Sequence, residues 1–177
     1  VTATVSVPDR AQPIKLLLLD VDGVLTDGRI IYTDAGQELK FFHVRDGHGI
    51  KLIQRAGIEV AWVSGRASPV VALRARELGV DLLFQGVRNK VEVLRQLRAS
   101  LNLTNPQIAA VGDDLVDLPL FSRVGLAVAV ADAPPQVKEA AHWVTDTPGG
   151  RGAVREVCDL LLQAQDLWET LMAPYCV

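Results

Sequence analysis

Asp20 and Asp22 stand two residues apart where the run Lys15-Leu16-Leu17-Leu18-Leu19 ends, and Gly23 lets the chain turn behind them. Two carboxylates this close resist ionising together unless a cation neutralises them. Three further polar signals each follow an apolar run of their own: Ser64-Gly65-Arg66 after Ala61-Trp62-Val63, Lys90 beyond Leu82 to Phe84, and Gly112-Asp113-Asp114 with Asp117 after Ile108 to Val111. If these signals meet, Asp20, Asp22, Asp113, Asp114 and Asp117 make a site that repels a phosphate. A bound divalent cation inverts that field. Mg²⁺ takes oxygen ligands and bridges carboxylates to a substrate phosphate. Asp20 and Asp113 are the natural pair to hold it. The Ser64 hydroxyl, the Gly65 amide and the Lys90 ammonium then suit the remaining phosphate oxygens. A carboxylate can attack phosphorus, a task that fits Asp20. A second one can protonate the leaving alcohol and later activate water, which fits Asp22.

Each signal alone is ordinary. Asp-x-Asp-Gly is a common turn, Ser-Gly-Arg says little, a helix lysine is usually solvated, and Gly-Asp-Asp can simply cap a helix. Their order, each behind its own apolar run, carries the reading.

Short apolar runs alternate with helical patterns along the chain. Strands are expected at Lys15 to Leu19, Ile58 to Val63, Leu82 to Phe84, Ile108 to Val111, Leu126 to Val130 and His142 to Thr145. Helices are expected from Asp46 to about Ala56, after Ser68-Pro69 with Ser68 as cap, from Asn89 to about Leu101, from Asp114 to Ser122, over Pro134 to Ala141, and from Ala153 to near Leu171. Such alternation implies an α/β fold, a Rossmann-like parallel sheet with helices on both faces, whose strands exit on one edge. Arg29 to Thr33 and Glu38 to Val44, around Asp34-Ala35-Gly36, read as a β-hairpin. One domain over 14–170 is expected, with a loose arm at 1–13 and a tail at 171–177.

Composition narrows the classes. A chain of 177 residues has room for one full core. A net charge of -3 lacks the basic excess of a general nucleic-acid binder. No apolar stretch approaches the roughly 20 residues of a membrane helix, so neither nucleic acid nor membrane is an expected partner. Val1 to Pro13 shows no signal-peptide pattern. Two cysteines, Cys158 in a helical pattern and Cys176 in the tail, argue against a disulfide framework and for a cytoplasmic setting.

The stretch Asp20-Val21-Asp22-Gly23-Val24-Leu25-Thr26, Ser64, Lys90 and Gly112-Asp113-Asp114 with Asp117 resembles the four ordered motifs of the haloacid dehalogenase superfamily of phosphatases. The resemblance implies Mg²⁺ dependence, Asp20 as nucleophile and Asp22 as acid/base with its backbone carbonyl on the metal. It also implies Asp113 as metal ligand, with Asp114 and Asp117 supporting the metal shell or Lys90. Phe42-His43-Val44-Arg45-Asp46-Gly47-His48-Gly49 and the segment Gly149 to Leu161 are similar to the capless branch that hydrolyses 3-deoxy-D-manno-octulosonate 8-phosphate. That similarity implies a sugar-acid phosphate as substrate, with Arg66 and Arg74 on its carboxylate, a role to which bidentate guanidinium is suited. It also implies a homotetramer, and a hairpin in place of the cap domain that other superfamily members carry. The hairpin, with bulk on both faces, suits a subunit contact, the alternative being a hairpin packed on its own sheet. Arg45, His48 and Arg151 are weaker candidates for loop or intersubunit contacts. A phosphatase for nine-carbon sugar-acid phosphates fits the same motifs. A non-catalytic assembly domain, as found fused to cytidylyltransferases, fits them less well, because Asp20, Asp22, Ser64, Lys90 and Asp113 are all retained.

Overall fold

A computed structural model describes residues 5–175. The chain enters through a short helix, α1 (Val7–Ala11), and reaches β1 (Leu16–Leu19), whose four leucines are all buried. A loop leads to the hairpin strands β2 (Ile31–Tyr32) and β3 (Glu38–Leu39). Then follow α2 (Val44–Arg55), β4 (Glu59–Val63), α3 (Pro69–Leu78), β5 (Leu82–Phe84) and α4 (Lys90–Ser100). The second half is β6 (Ile108–Gly112), α5 (Leu118–Phe121), β7 (Leu126–Ala129), α6 (Pro135–Ala140), β8 (Trp143–Val144), α7 (Ala153–Ala164) and α8 (Trp168–Met172).

Six strands form one parallel sheet in the order β5-β4-β1-β6-β7-β8. The chain builds outward from β1 on one side, then returns to build on the other. The order therefore reverses at β1, and crevices beyond the carboxyl ends of strands at such a reversal are the usual ligand sites of open α/β sheets. Strand β1 is apolar throughout because a central parallel strand is covered on both faces. Register does the positioning. Leu19 lies opposite Trp62 and Val111, so Asp20 falls level with Val63 and Gly112. Ser64 and Asp113 then emerge one residue further on.

The described residues share one core, and several expected boundaries move. Part of the arm read as loose is helical. Ser6 caps α1 by accepting the Asp9 amide, and Ala11 is fully buried. The closing helix stops at Ala164 instead of running to Leu171. Asp166 takes a left-handed backbone at φ 58°, and the Gln165 side chain donates to the carbonyls of Ala11 and Ile14. A polar tether to the N-terminal segment thus replaces a further helical turn. The hairpin pairs only Ile31 with Leu39 and Tyr32 with Glu38, shorter than expected. Helix α2 begins at Val44, two residues early. The Asp114 to Ser122 segment opens as a 3₁₀ turn over Leu115–Asp117 before α5. Pro69 does open α3, but no side-chain cap bond forms at Ser68; its amide donates to Gln85 instead.

Phe42 stacks against Trp62 with ring centroids 6.2 Å apart, tying the hairpin's root to the core. Phe41 faces the other way and is 64% exposed, and Ile30, Tyr32, Leu39 and Val44 are exposed with it. The buried Cys158 packs in α7, and burial pushes its thiol well up. Cys176 lies outside the described residues. No helix among them is long and apolar enough to cross a membrane.

Candidate active site

Asp20 leaves β1 with its amide bonded to the Val111 carbonyl, so its side chain is set at the sheet edge, only 7% exposed. Lys90, first residue of α4, points back under it. Its ammonium lies 2.8 Å from Asp20 Oδ1 and 2.7 Å from Asp117 Oδ1. Burial opposes the charged ammonium, but Asp20 and Asp117 outweigh it and hold Lys90 above its ordinary range. The other oxygen of Asp117 accepts the amides of Asp113 and Asp114 at 3.1 and 3.4 Å. Asp117 thus has both oxygens engaged and organises the turn that presents Asp113. Asp114 is exposed and caps the 3₁₀ turn through the Leu115 amide.

One carboxylate oxygen from each of Asp20, Asp113 and Asp117 lies within 4.8 Å of the others. Burial raises the Asp20 carboxyl, reinforced by Asp117 and opposed by Lys90. Burial, then the charges of Asp20 and Asp117, push Asp113 up to about 8. Asp113 Oδ1 is buried and has no hydrogen-bond partner. A partnerless buried carboxylate oxygen is costly and asks for a cation. The all-oxygen donor set suits a hard divalent ion such as Mg²⁺.

Glycine makes the close approach possible. A Cβ on Gly23, which sits at φ +99°, would fall 2.0 Å from Asp113 Oδ2. The Asp20 loop is locked in turn by Thr26, whose hydroxyl accepts the amides of Gly23 and Gly28. Gly149 presses on it from outside, where a Cβ would meet the Gly23 carbonyl oxygen at 1.7 Å. The Gly149-Gly150 segment therefore buttresses the loop.

Asp20, Asp22, Ser64, Gly65, Arg66 and Lys90 line one cleft of about 190 Å³. Ser64 is buried at the end of β4, and its hydroxyl accepts the Arg66 amide at 3.1 Å. Arg66 also borders a second hollow of about 540 Å³ between the hairpin and α3. Arg74 is placed elsewhere: it pairs with Glu77 at 3.1 Å, and its guanidinium fills the space over Gly47 of α2. Arg66 lies in the loop after β4, whereas Arg74 sits on α3, and the helix turns its side chain toward α2. Arg45 and Arg151 border a separate hollow at the start of α7. His48 lies 3.1 Å from the Tyr175 hydroxyl.

Three residues at or beside the cleft escaped the sequence reading. Arg88 lines the cleft just ahead of Lys90. Lys40 contacts Asp22 from the hairpin, and Glu38 sits 3.4 Å from Lys40 and 2.7 Å from Arg66. The available signal was a lone cation between Leu39 and the apolar pair Phe41-Phe42. Asp46, in the Arg45-Asp46-Gly47-His48-Gly49 stretch, is structural. It is buried and accepts the Arg155 amide at 2.8 Å, joining α2 to the start of α7.

Residues 80–156 match the family model described as haloacid dehalogenase-like hydrolase. The chain is 49% identical over 160 residues to the 3-deoxy-D-manno-octulosonate 8-phosphate phosphatase KdsC of Yersinia pestis, spanning 90% of this chain and 86% of that one. It is 51% identical over 156 residues to the same-named phosphatase of Escherichia coli, spanning 88% and 83%. Its fold is similar to a crystal structure of the Moraxella catarrhalis 3-deoxy-D-manno-octulosonate 8-phosphate phosphatase in complex with a magnesium ion, a phosphate ion and a KDO molecule. The TM-score is 0.93 at 38% identity, covering 96% of this chain and 97% of that chain. With that identity running through nearly the whole chain, and the acidic cluster assembled as described, the chain belongs to the 3-deoxy-D-manno-octulosonate 8-phosphate phosphatase family of haloacid dehalogenase-like hydrolases.

Proposed function

We propose that this enzyme hydrolyses 3-deoxy-D-manno-octulosonate 8-phosphate to the free sugar acid and phosphate, with Mg²⁺ and an aspartyl-phosphate intermediate. The observation that carries the reading is the convergence of Asp20 and Asp113 within 4.8 Å, beside the Lys90 ammonium and at the floor of the Ser64 cleft. Asp20 and Asp113 would hold the cation, joined by the Asp22 backbone carbonyl. When bound, Mg²⁺ offsets the carboxylates' charge and draws a phosphate into a site that otherwise repels it. The Ser64 hydroxyl, the Gly65 amide and Lys90 hold phosphate oxygens. An Asp20 oxygen attacks phosphorus and the bond to the sugar oxygen breaks, while Asp22 passes a proton to that oxygen. Asp22 then takes a proton from water, whose oxygen attacks the phosphorus, and the bond to Asp20 breaks. Lys90 keeps Asp20 aligned throughout, with Asp114 and Asp117 shaping the turn that carries Asp113. Arg66 meets the substrate carboxylate at the mouth.

The same reading takes residues 14–170 as one catalytic domain, working as a homotetramer in the cytoplasm. The exposed apolar side of the hairpin supports assembly, and a second subunit there would shield the cleft from water. A free buried thiol at Cys158 fits a reducing compartment. The test is phosphate release from the eight-carbon substrate and from a nine-carbon sugar-acid phosphate, with and without EDTA. Release from the former alone, abolished by EDTA and by Asp20→Asn, is expected. Turnover surviving Asp20→Asn refutes the nucleophile assignment, and preference for the nine-carbon substrate refutes the substrate.

A further inference from the structure

Four charges close a ring at the mouth of the cleft. Lys40 contacts Asp22 and lies 3.4 Å from Glu38; Glu38 accepts from Arg66 at 2.7 Å; Arg66 Nε lies 3.9 Å from Asp22 Oδ2. Signs alternate around the ring, so every neighbour attracts. The Lys40 side chain is 1% exposed, far more buried than the 39% exposed Arg66 side chain. Lys40 follows β3, in a hairpin whose outer side chains are largely exposed. Burying an ammonium is a poor way to stabilise such an element, since well-packed apolar side chains do as well or better. What the ammonium does there is grip one oxygen of Asp22. Lys40 reaches Oδ1, while Oδ2 has only Arg66 at a distance too long for a hydrogen bond.

We propose that Lys40 is a positioning residue for Asp22, anchoring Oδ1 so that Oδ2 is the oxygen presented to the leaving group and, later, to water. The hairpin then contributes a group to the chemistry as well as a surface. The inference rests on Asp22 acting as the acid/base, as proposed above. It differs from a structural clamp in one respect: it matters only to steps in which Asp22 moves a proton.

The leaving group provides the test. An alkyl phosphate such as the sugar phosphate needs a proton on departure; p-nitrophenyl phosphate does not. General acid–base assistance is typically worth about 10²- to 10⁴-fold, so partial loss through Lys40→Met is expected to slow single-turnover cleavage of the sugar phosphate by about 30-fold or more, with KM within about 3-fold. The p-nitrophenolate burst should stay within about 3-fold of wild type, because that step needs no acid. Asp22→Asn/Lys40→Met should be no slower than Asp22→Asn alone, since Lys40 acts through Asp22. That comparison removes both charges and so does not depend on the single Lys40 variant folding. A double variant about 10-fold slower than Asp22→Asn, or an aryl burst that falls as far as alkyl cleavage, overturns the proposal. If the wild-type protein releases no phosphate from the sugar phosphate, the functional reading itself falls. If wild type turns over and Lys40→Met matches it, only the Lys40 role falls.

Discussion

Asp113→Asn separates what the site needs for chemistry from what the fold would prefer. Burial, then Asp20 and Asp117, raise the Asp113 carboxyl from 3.8 to about 8. An acid whose pKa is raised by folding binds its proton more tightly in the folded state. Stability of the metal-free protein therefore falls as pH climbs from about 4 to about 8, and the penalty is complete above that window. The window spans about four units, and at ~1.36 kcal/mol each the upper limit is about 5 to 6 kcal/mol. Asp113 is partly open to water, and screening brings this to about 2 to 3 kcal/mol. The Asn variant keeps the shape and removes the charge. Without metal it should be about 2 to 3 kcal/mol more stable than wild type near pH 8 and equal to it near pH 4. For a domain of this size the gain near pH 8 corresponds to about 5 to 10 °C in Tm. Thermal unfolding in EDTA across this pH range measures it. Millimolar Mg²⁺ near pH 8 should stabilise wild type clearly more than the variant, because the variant lacks one of the two carboxylates that would hold the ion. A gap that does not change with pH, or equal stabilisation of both proteins by Mg²⁺, refutes the argument.

Lys90→Met leaves Asp20 and Asp117 facing each other without their shared counter-ion. The cost should be about 3 kcal/mol or more, read as a lower urea midpoint at neutral pH. Gly149→Ala forces a methyl against the Gly23 carbonyl oxygen, 1.7 Å away before any shift. The expected loss is about 2 to 3 kcal/mol together with lowered turnover, seen by calorimetry and phosphate release, because the Asp20 loop must move. Light scattering should give a four-subunit mass for wild type and a smaller one for Phe41→Glu, whose parent side chain is 64% exposed on the hairpin. A wild-type protein of single-chain mass at micromolar concentration ends the assembly reading.

Much of the frame was legible because its signals are local. Leu16 to Leu19 is continuously apolar as a central parallel strand must be, and each polar motif sits at a strand end by chain order alone. Parallel register then turns order into proximity, which is why Asp20, Asp113 and Lys90 could be grouped before any contact was known. What stayed hidden depends on pairs distant in sequence. The break after Ala164 follows from Gln165 reaching back to Ala11 and Ile14. The contact of Lys40 with Asp22 depends on how a two-residue hairpin tilts over the cleft, and the placing of Arg74 on the direction of one helix. Charge, apolar period and spacing are properties of a segment and can be read from it. Which buried cation meets which carboxylate is settled only when separate segments compete for the same space, and that competition exists only in the folded chain.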